Sequence, residues 1–331
     1  MKGYAVFLLI VACVLMLLPI PALPRAQAKS VETVATPEAT PSPQEPSPAD
    51  TALSAVRILT GDTVTQLSVR EFLIRTLAFE MPPTYHAEAL KAQAVAAYTY
   101  YGRRQRTQAA NPDPALKGAH FTAPDSTFPQ EYTADKLRER WGEHFDTYYD
   151  ALCTAVDAVL GRYVTYQDEW IDACYFAISH GSTEEAKVVW GNDVPYLRAV
   201  ASPADTLADG YETTVKLSAE QMKTALLAHD KSLSLGNDPT AWFGEPTLSA
   251  AGSVASIPVG GKALGGTAVR KALSLRSAAF AVAFADGQFT ITVHGYGHGV
   301  GMSQYGANAL ALQGYSWQEI LQYYYTGVCI V

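Results

Sequence analysis

The stretch SVREFLIRTLAFEMPPTYHAEALKAQAVAAYTYYGRR, residues 68–104, decides the fold because it predicts two helices on either side of a proline break. Ser68 followed by Glu71 is a capping-box signature, and apolar residues continue at helical spacing as far as Leu77. In residues 85–104 apolar residues recur at steps of four, three and four, as in an amphipathic helix. The break between the two helices therefore lies at residues 80–84.

Glu80 occupies that break. It follows an apolar run and precedes Met81, Pro82 and Pro83, which end helix propagation and bias Met81 toward extended backbone. A carboxyl group against apolar neighbours has a disfavoured charged form, so it can hold a proton near neutral pH and act as a general acid. The alternative is an ordinary solvated surface glutamate, which is the common environment for this residue type.

Composition limits the classes of function. The chain has 331 residues, of which 48% are hydrophobic and 17% are charged, as in globular proteins. The net charge of −8 and the pI near 5.4 come without a basic stripe, which argues against nucleic-acid binding. Three cysteines follow the N-terminal segment, Cys153, Cys174 and Cys329, and their spacing implies neither a disulfide framework nor a metal site.

The N-terminal region predicts export. Residues 4–23 are uncharged and almost wholly apolar, long enough to span a bilayer, although residues 26–28 also resemble a signal-peptide cleavage site. We favour a retained anchor because the run exceeds a typical signal core. Residues 30–50 carry five prolines among small polar residues, a composition that cannot build a core. The predicted division is an anchor or signal segment at 1–29, a disordered linker at 30–51 and one catalytic domain at 52–331.

Helices and antiparallel hairpins mix along the rest of the chain, which predicts an α+β fold. Hairpins are expected at 56–67 and at 162–178, and strands at 280–284 and 289–293. Helical character is expected at 132–160, 212–232 and 265–275.

Two polar motifs follow predicted strands. SHGSTE, residues 179–184, presents hydroxyl and carboxylate groups at a strand end, although a turn that caps the next helix is an equal alternative. GYGHGVGMSQYG, residues 295–306, has four alternating glycines that let the backbone approach a ligand or another chain segment closely. His294 and His298 lack a third ligand for a metal, the spacing is not that of a phosphate-binding loop, and Ser179 lacks the elbow of a serine hydrolase.

Together these motifs resemble the stage II sporulation protein D family. The resemblance rests on Glu80-Met-Pro, EALKAQAVAA at 88–97, SHGSTEEAKVVW at 179–190 and the glycine-rich motif, in that order. It covers the chain from about residue 56 to the end. It implies a two-lobed α+β body behind a transmembrane helix and a proline-rich tether.

The resemblance also implies a function. Members are lytic transglycosylases of endospore-forming bacteria that cleave denuded peptidoglycan strands during engulfment, beside a cell-wall amidase and a polytopic membrane protein. They are single-pass membrane proteins with the body outside the cytoplasm, between the mother-cell and forespore membranes. By motif position Glu80 takes the place of the catalytic glutamate. Expected substrate-binding residues are Gln93, Tyr98, Ser179, Thr183, Glu184, His298, Ser303, Gln304 and Tyr305.

The chain departs from the family pattern at two places. Tyr98 stands where relatives often have arginine, so a guanidinium contact to substrate is missing or is supplied elsewhere. Ala123 and Pro129 stand where some members carry two cysteines that help to bind zinc. We therefore expect no metal and no other cofactor.

A single carboxylate suffices for the implied reaction. Glycoside hydrolysis normally uses two carboxylates, but in a lytic transglycosylase the sugar's own C6 hydroxyl attacks the anomeric carbon and closes a 1,6-anhydro ring. Glu80 would protonate the glycosidic oxygen and then accept the proton of that hydroxyl. The competing hypotheses are a glycan-binding module that enhances an amidase without cleaving glycan, and a metal-dependent hydrolase.

Overall fold

A computed structural model describes residues 55–331 of the chain. The predicted anchor at 1–29 and linker at 30–51 lie outside the described residues. None of the helices in the described part combines the length and apolar character needed to cross a membrane.

Helices and strands alternate irregularly along residues 55–331. The helices are α1 (Val69–Glu80), α2 (Ala87–Ala110), α3 (Ala134–Trp141), α4 (Phe145–Val159), α5 (Ala186–Trp190), α6 (Ala219–His229), α7 (Gly266–Ala272), α8 (Gln304–Leu312) and α9 (Trp317–Tyr324). The strands are β1 (Val56–Thr60), β2 (Thr63–Leu67), β3 (Phe121–Thr122), β4 (Val164–Tyr166), β5 (Glu169–Trp170), β6 (Tyr175–Phe176), β7 (Glu212–Ser218), β8 (Thr247–Leu248), β9 (Val254–Val259), β10 (Lys262–Gly265), β11 (Phe280–Ala285), β12 (Gln288–His294), β13 (Met302–Ser303) and β14 (Cys329–Ile330).

Helix α2 is the centre of the first hydrophobic core. It contacts α1, α4, α8 and α9, and every residue from Ala92 to Thr99 is buried. The sequence predicts one apolar face for this helix, but its middle is apolar or buried on every face because other helices cover it on all sides. Alanines at 92, 94, 96 and 97 leave room for the neighbouring helices to approach closely.

The hairpin expected at 56–67 is confirmed, with Thr60 paired to Thr63 next to the turn, and β3 extends its sheet in parallel. The hairpin expected at 162–178 is only partly correct. Strands β4 and β5 pair, but the strand predicted to run from 170 to 178 is interrupted at 171–174. The continuation, β6, pairs in parallel with β13 of the glycine-rich motif instead.

Residues between β7 and β12 form a second hydrophobic core. The antiparallel sheet β11-β12-β7 and the antiparallel sheet β10-β9-β8 contribute to it with α6 and α7. The helix predicted for 212–232 was wrong in its first third, because β7 pairs with β12 over seven residues. After β12 the chain returns to the first core. The α+β class with largely antiparallel sheets is confirmed.

Candidate active site at Glu80

Helix α1 ends at Glu80, as the sequence predicts. Ser68 caps the start of this helix by accepting a hydrogen bond from the Glu71 backbone N–H, while the Glu71 carboxylate pairs with Arg75. At the other end Met81 leaves helical geometry with a φ of −130° and donates its N–H to Leu77 at 3.0 Å. Glu80 is therefore the last helical residue.

Gln304 holds the Glu80 carboxylate from across the chain. Its Nε2 donates to Glu80 Oε2 at 3.1 Å and lies 3.5 Å from Oε1 of Gln93 on α2. Gln93 is fully buried, and its own Nε2 has no hydrogen-bond partner in the described structure. The end of α1, the middle of α2 and the start of α8 thus converge on one carboxylate.

Burial raises the pKa of Glu80 to about 7. Hydrogen bonds from Gln304 and from the Tyr175 hydroxyl oppose this by favouring the charged form, and the Asp125 carboxylate adds to the rise. The side chain is nevertheless partly exposed, so a reactant can reach it. A partly accessible carboxyl with a pKa near neutral can both give and take a proton.

Asp125 is an electrostatic neighbour that sequence reasoning did not identify as a site residue. Although burial opposes its ionisation, hydrogen bonds from Thr127 and Phe128 hold the pKa of Asp125 below its usual value. One oxygen, Oδ1, accepts all three of these bonds, at 2.7 to 2.9 Å. An ionised Asp125 disfavours ionisation of Glu80 and so keeps it protonated to higher pH.

Tyrosines border the site. Burial raises the pKa of Tyr175 well above its usual value, so its hydroxyl remains a hydrogen-bond donor. Tyr305 is half-buried, donates its backbone N–H to the carbonyl of Ala177 at 3.0 Å and lies edge-on to Tyr85 at 6.5 Å.

The glycine-rich motif packs against the chain's own strand. A Cβ at Gly301 would lie 2.1 Å from the Cys174 carbonyl oxygen, and one at Gly297 would lie 2.5 Å from the Phe176 Cβ. Both glycines have positive φ. The close approach expected from the glycines is thus made to residues 174–176, and it places Gln304 beside Glu80.

His298 is a fixed, neutral side chain. Burial lowers its pKa to about 4, assisted by the charge of Arg270 and opposed by a hydrogen bond to the Tyr175 carbonyl. The His298 Nδ1 accepts from the Val300 N–H at 3.1 Å, and the ring contacts Phe176 and Trp190. These contacts hold the glycine-rich motif in place.

Ser179 and Ser303 meet at Asp205, a fully buried residue that sequence reasoning missed. Asp205 Oδ2 accepts from the Ser179 N–H at 2.9 Å, and Oδ1 has no hydrogen-bond partner among the described residues. Burial raises the pKa of Asp205, and the nearby hydroxyls of Ser179, Ser303 and Ser202 oppose that rise. Ser303 also caps α8 by accepting from the Gly306 N–H. Nothing in the turn around Asp205 marks it in the sequence.

The remaining predicted residues lie apart from Glu80. Tyr98 is 3% exposed and packs on Trp170 in the first core. Thr183 is fully buried, and its Oγ1 accepts from the Val200 N–H at 2.9 Å. Glu184 lines a separate pocket with His180 and Ser253. The structure therefore brings Gln93 and Gln304 directly to Glu80, places Ser303 and Tyr305 on the adjoining turns, and puts Glu184 elsewhere.

Within residues 55–331 no three histidine, cysteine, aspartate or glutamate side chains are grouped to hold a metal ion. The expectation of no metal stays a prediction. The three described cysteines are not paired with one another.

Comparison with known proteins identifies relatives over most of the chain. The family model for stage II sporulation protein matches residues 60–166. The chain is 35% identical to stage II sporulation protein D of Bacillus subtilis (strain 168) over 272 residues, which are 82% of this chain and 76% of that protein. It is also 35% identical to stage II sporulation protein D of Bacillus amyloliquefaciens over 269 residues, 81% of this chain and 75% of that protein.

A more distant relative is the amidase enhancer of Bacillus subtilis (strain 168), 28% identical over 302 residues, which are 76% of this chain and 39% of that protein. The extent of the matches to the two sporulation proteins agrees with the motifs at Glu80, at 179–190 and at 295–306. The chain belongs to the stage II sporulation protein D family.

Proposed function

We propose that the protein is a peptidoglycan lytic transglycosylase that cleaves the bond between N-acetylmuramic acid and N-acetylglucosamine, with Glu80 as its single general acid and base. The observation that carries this proposal is the state of Glu80: a partly accessible carboxyl with a pKa of about 7, fixed at 3.1 Å by Gln304. Tuning of this kind is expected of a group that must donate a proton near neutral pH.

The reaction requires Glu80 to donate one proton and then to accept another. Protonated Glu80 gives its proton to the glycosidic oxygen as the bond to the anomeric carbon breaks. The resulting carboxylate accepts the proton of the C6 hydroxyl while that oxygen bonds to the anomeric carbon. The products are a free hydroxyl on the leaving sugar and a 1,6-anhydromuramic end, and Glu80 is protonated again.

Gln304 supports the second half of the cycle. Its Nε2–H stabilises the carboxylate that exists after the first proton transfer. Asp125 acts in the opposite direction by raising the pKa of Glu80. These two neighbours, with burial and the Tyr175 hydroxyl, set the pKa of Glu80 and so the balance between its acid and base forms.

Product analysis tests the proposal. The full chain is incubated with denuded glycan strands, and 1,6-anhydromuramic ends are measured by mass spectrometry. We expect these ends with the wild type and a loss of about a hundredfold or more with Glu80→Gln, which keeps the shape but removes the proton donor. Glu143→Gln, at a side chain that is 90% exposed, is the matched control. Near-wild-type turnover by Glu80→Gln would refute the assignment.

A second candidate function is a glycan-binding module that stimulates an amidase without cutting glycan. It is favoured by the similarity to a protein named amidase enhancer. Binding of denuded strands without anhydro ends, combined with faster release of stem peptides by a cell-wall amidase, would select it.

We also propose that residues 1–29 anchor the protein, with the body outside the cytoplasm between the mother-cell and forespore membranes, where it works beside an amidase and a polytopic membrane partner. The apolar run at 4–23 supports this. Protease added to protoplasts prepared before engulfment is complete tests on which side of the membrane the body lies. A body that is protected at that stage would contradict the proposal.

A further inference from the structure

A pocket of about 250 Å³ lies where residues 178–184 meet 253–255, 265–268 and 297–299. Its walls come from both hydrophobic cores, since Val189 packs on the first and Val254 belongs to the second. None of the residues that hydrogen-bond to Glu80 lines it. The pocket is therefore distinct from the candidate active site.

Glu184 is the acidic group of this pocket, and it is only 3% exposed. Its Oε1 accepts from Ser249 Oγ at 2.7 Å and from the Ser253 N–H at 3.3 Å. Its backbone N–H donates to the Gly299 carbonyl at 2.7 Å, which fixes the residue from the opposite side. In the described structure Oε2 accepts no hydrogen bond, although it belongs to a residue of the pocket wall.

The pocket offers no lysine or arginine to this side chain. Among the described residues, neither lysine nor arginine lines it. His180 Nε2 lies 3.8 Å from Glu184 Oε1 but donates to the Ala251 carbonyl at 2.8 Å. His298 is neutral, and His294 faces Glu212 at 3.2 Å. Glu184 Oε2 is thus a buried acceptor that no lysine, arginine or hydrogen-bond donor among the described residues of the pocket satisfies, which is typical of a site completed by a ligand.

We propose that this pocket binds a primary ammonium group, with Glu184 Oε2 as its acceptor. The volume admits one sugar ring or one alkyl amine and is below that of typical sites for larger organic ligands. Val188, Val189 and Val254 offer apolar surface to the carbon skeleton. In a cell wall such an amine is carried by an amino sugar that lacks its acetyl group or by the side chain of a diamino acid in a stem peptide.

The site goes beyond the proposed reaction and does not depend on it. Binding is therefore measured by calorimetry on the full chain carrying Glu80→Gln, in which turnover is removed. The probes are two amines, glucosamine and Nα-acetyl-lysine, and their neutral acetylated forms, N-acetylglucosamine and Nα,Nε-diacetyl-lysine. We expect one of the two amines to bind about tenfold or more tightly than its own acetylated form, because acetylation removes the charge.

Glu184→Gln keeps the contacts of Oε1 and removes the charge, so it should lower the affinity for that amine by about tenfold or more. Glu185→Gln removes the neighbouring charge, which faces Arg198 outside the pocket, and should leave the affinity unchanged.

The outcomes separate cleanly. Preference for glucosamine assigns the site to an amino sugar, and preference for Nα-acetyl-lysine assigns it to a diamino acid. Equal binding of the amine and of its own acetylated form, or an amine affinity that survives Glu184→Gln, overturns the proposal. If Glu184→Gln does not fold, the comparison of each amine with its acetylated form still decides. A negative result leaves the anhydro-product assay unaffected, so the two proposals fail independently.

Discussion

Replacement of Gln304 by leucine should move the pH dependence of the reaction upward. Gln304 donates to Glu80 Oε2 at 3.1 Å and so favours the charged carboxylate. Gln304→Leu removes that donor and adds apolar surface, and both changes favour the protonated form. The pKa of Glu80, about 7 in the wild type, should therefore rise.

The size of the rise follows from the strength of the bond. A hydrogen bond to a charged group is worth about 1.5–3 kcal/mol, and 1.36 kcal/mol corresponds to one pKa unit. We expect the pKa to increase by about one to two. In the proposed mechanism Glu80 must be protonated to act as the acid, so kcat/KM is expected to fall above its pKa. That fall should begin about one to two pH units higher in the variant, whatever happens to the maximum rate.

The assay is the pH profile of kcat/KM for release of 1,6-anhydromuramic ends from pH 5 to 10. Gln313→Leu, at the exposed C-cap residue that directly follows α8, is the control for the same substitution at the other end of this helix. Its profile should match the wild type. A profile of Gln304→Leu that stays in place or moves to lower pH would refute the role of Gln304 and weaken the assignment of Glu80.

Two further predictions concern stability. Glu80 has a pKa of about 7 in the folded protein and 4.5 in the unfolded chain, so its contribution to folding stability is fully present below pH 4.5 and is lost as the pH rises through about 7. Glu80→Gln should therefore be more stable than the wild type at pH 8, by on the order of 1–3 kcal/mol in urea unfolding. The two proteins should be equally stable at pH 4. A wild type that is equally stable at pH 8 would contradict the raised pKa. Gly301→Ala should lower the free energy of unfolding by several kcal/mol, of which about 1–2 kcal/mol comes from the positive φ and the rest from the clash with the Cys174 carbonyl. Gly314 also has positive φ but faces open space, so Gly314→Ala should lose only the roughly 1–2 kcal/mol that comes from the backbone. Equal losses in thermal unfolding would show that the contact with Cys174 is unimportant.

Local pattern predicted the elements that border Glu80. The cap at Ser68 and the helix break before the proline pair at 82–83 depend on neighbouring residues, and both match the structure. The spacing in α2 predicted a helix correctly but not its burial on all sides, which depends on the helices packed around it. Strand β7 was missed because its alternation of exposed and half-buried residues is short and runs directly into the cap of α6 at Ser218. Its pairing with β12, whose residues lie 70 to 82 positions further along the chain, makes it a strand.

The residues that surround Glu80 were harder to predict from the sequence than Glu80 itself. Gln304 approaches Glu80 across 224 residues of sequence, and no periodicity encodes such a contact. Motif position brought Gln304 and Glu184 into one predicted site, yet only Gln304 reaches Glu80. Tyr98 was a candidate by its place in a motif, and the structure buries it in a core, where its surroundings depend on tertiary packing.

The short parallel pair of β6 and β13 explains why the same motifs border both Glu80 and the pocket of Glu184. Successive side chains of a strand point to opposite faces. Tyr175 directs its hydroxyl to Glu80, while the next residue, Phe176, packs against His298 on the side of the Glu184 pocket. The hydrogen bonds of Glu80 and Glu184 go to different partners, so the effects of substitutions at the two carboxylates on stability should be additive. A substitution at Gly301 displaces the backbone that both faces share and should disturb both.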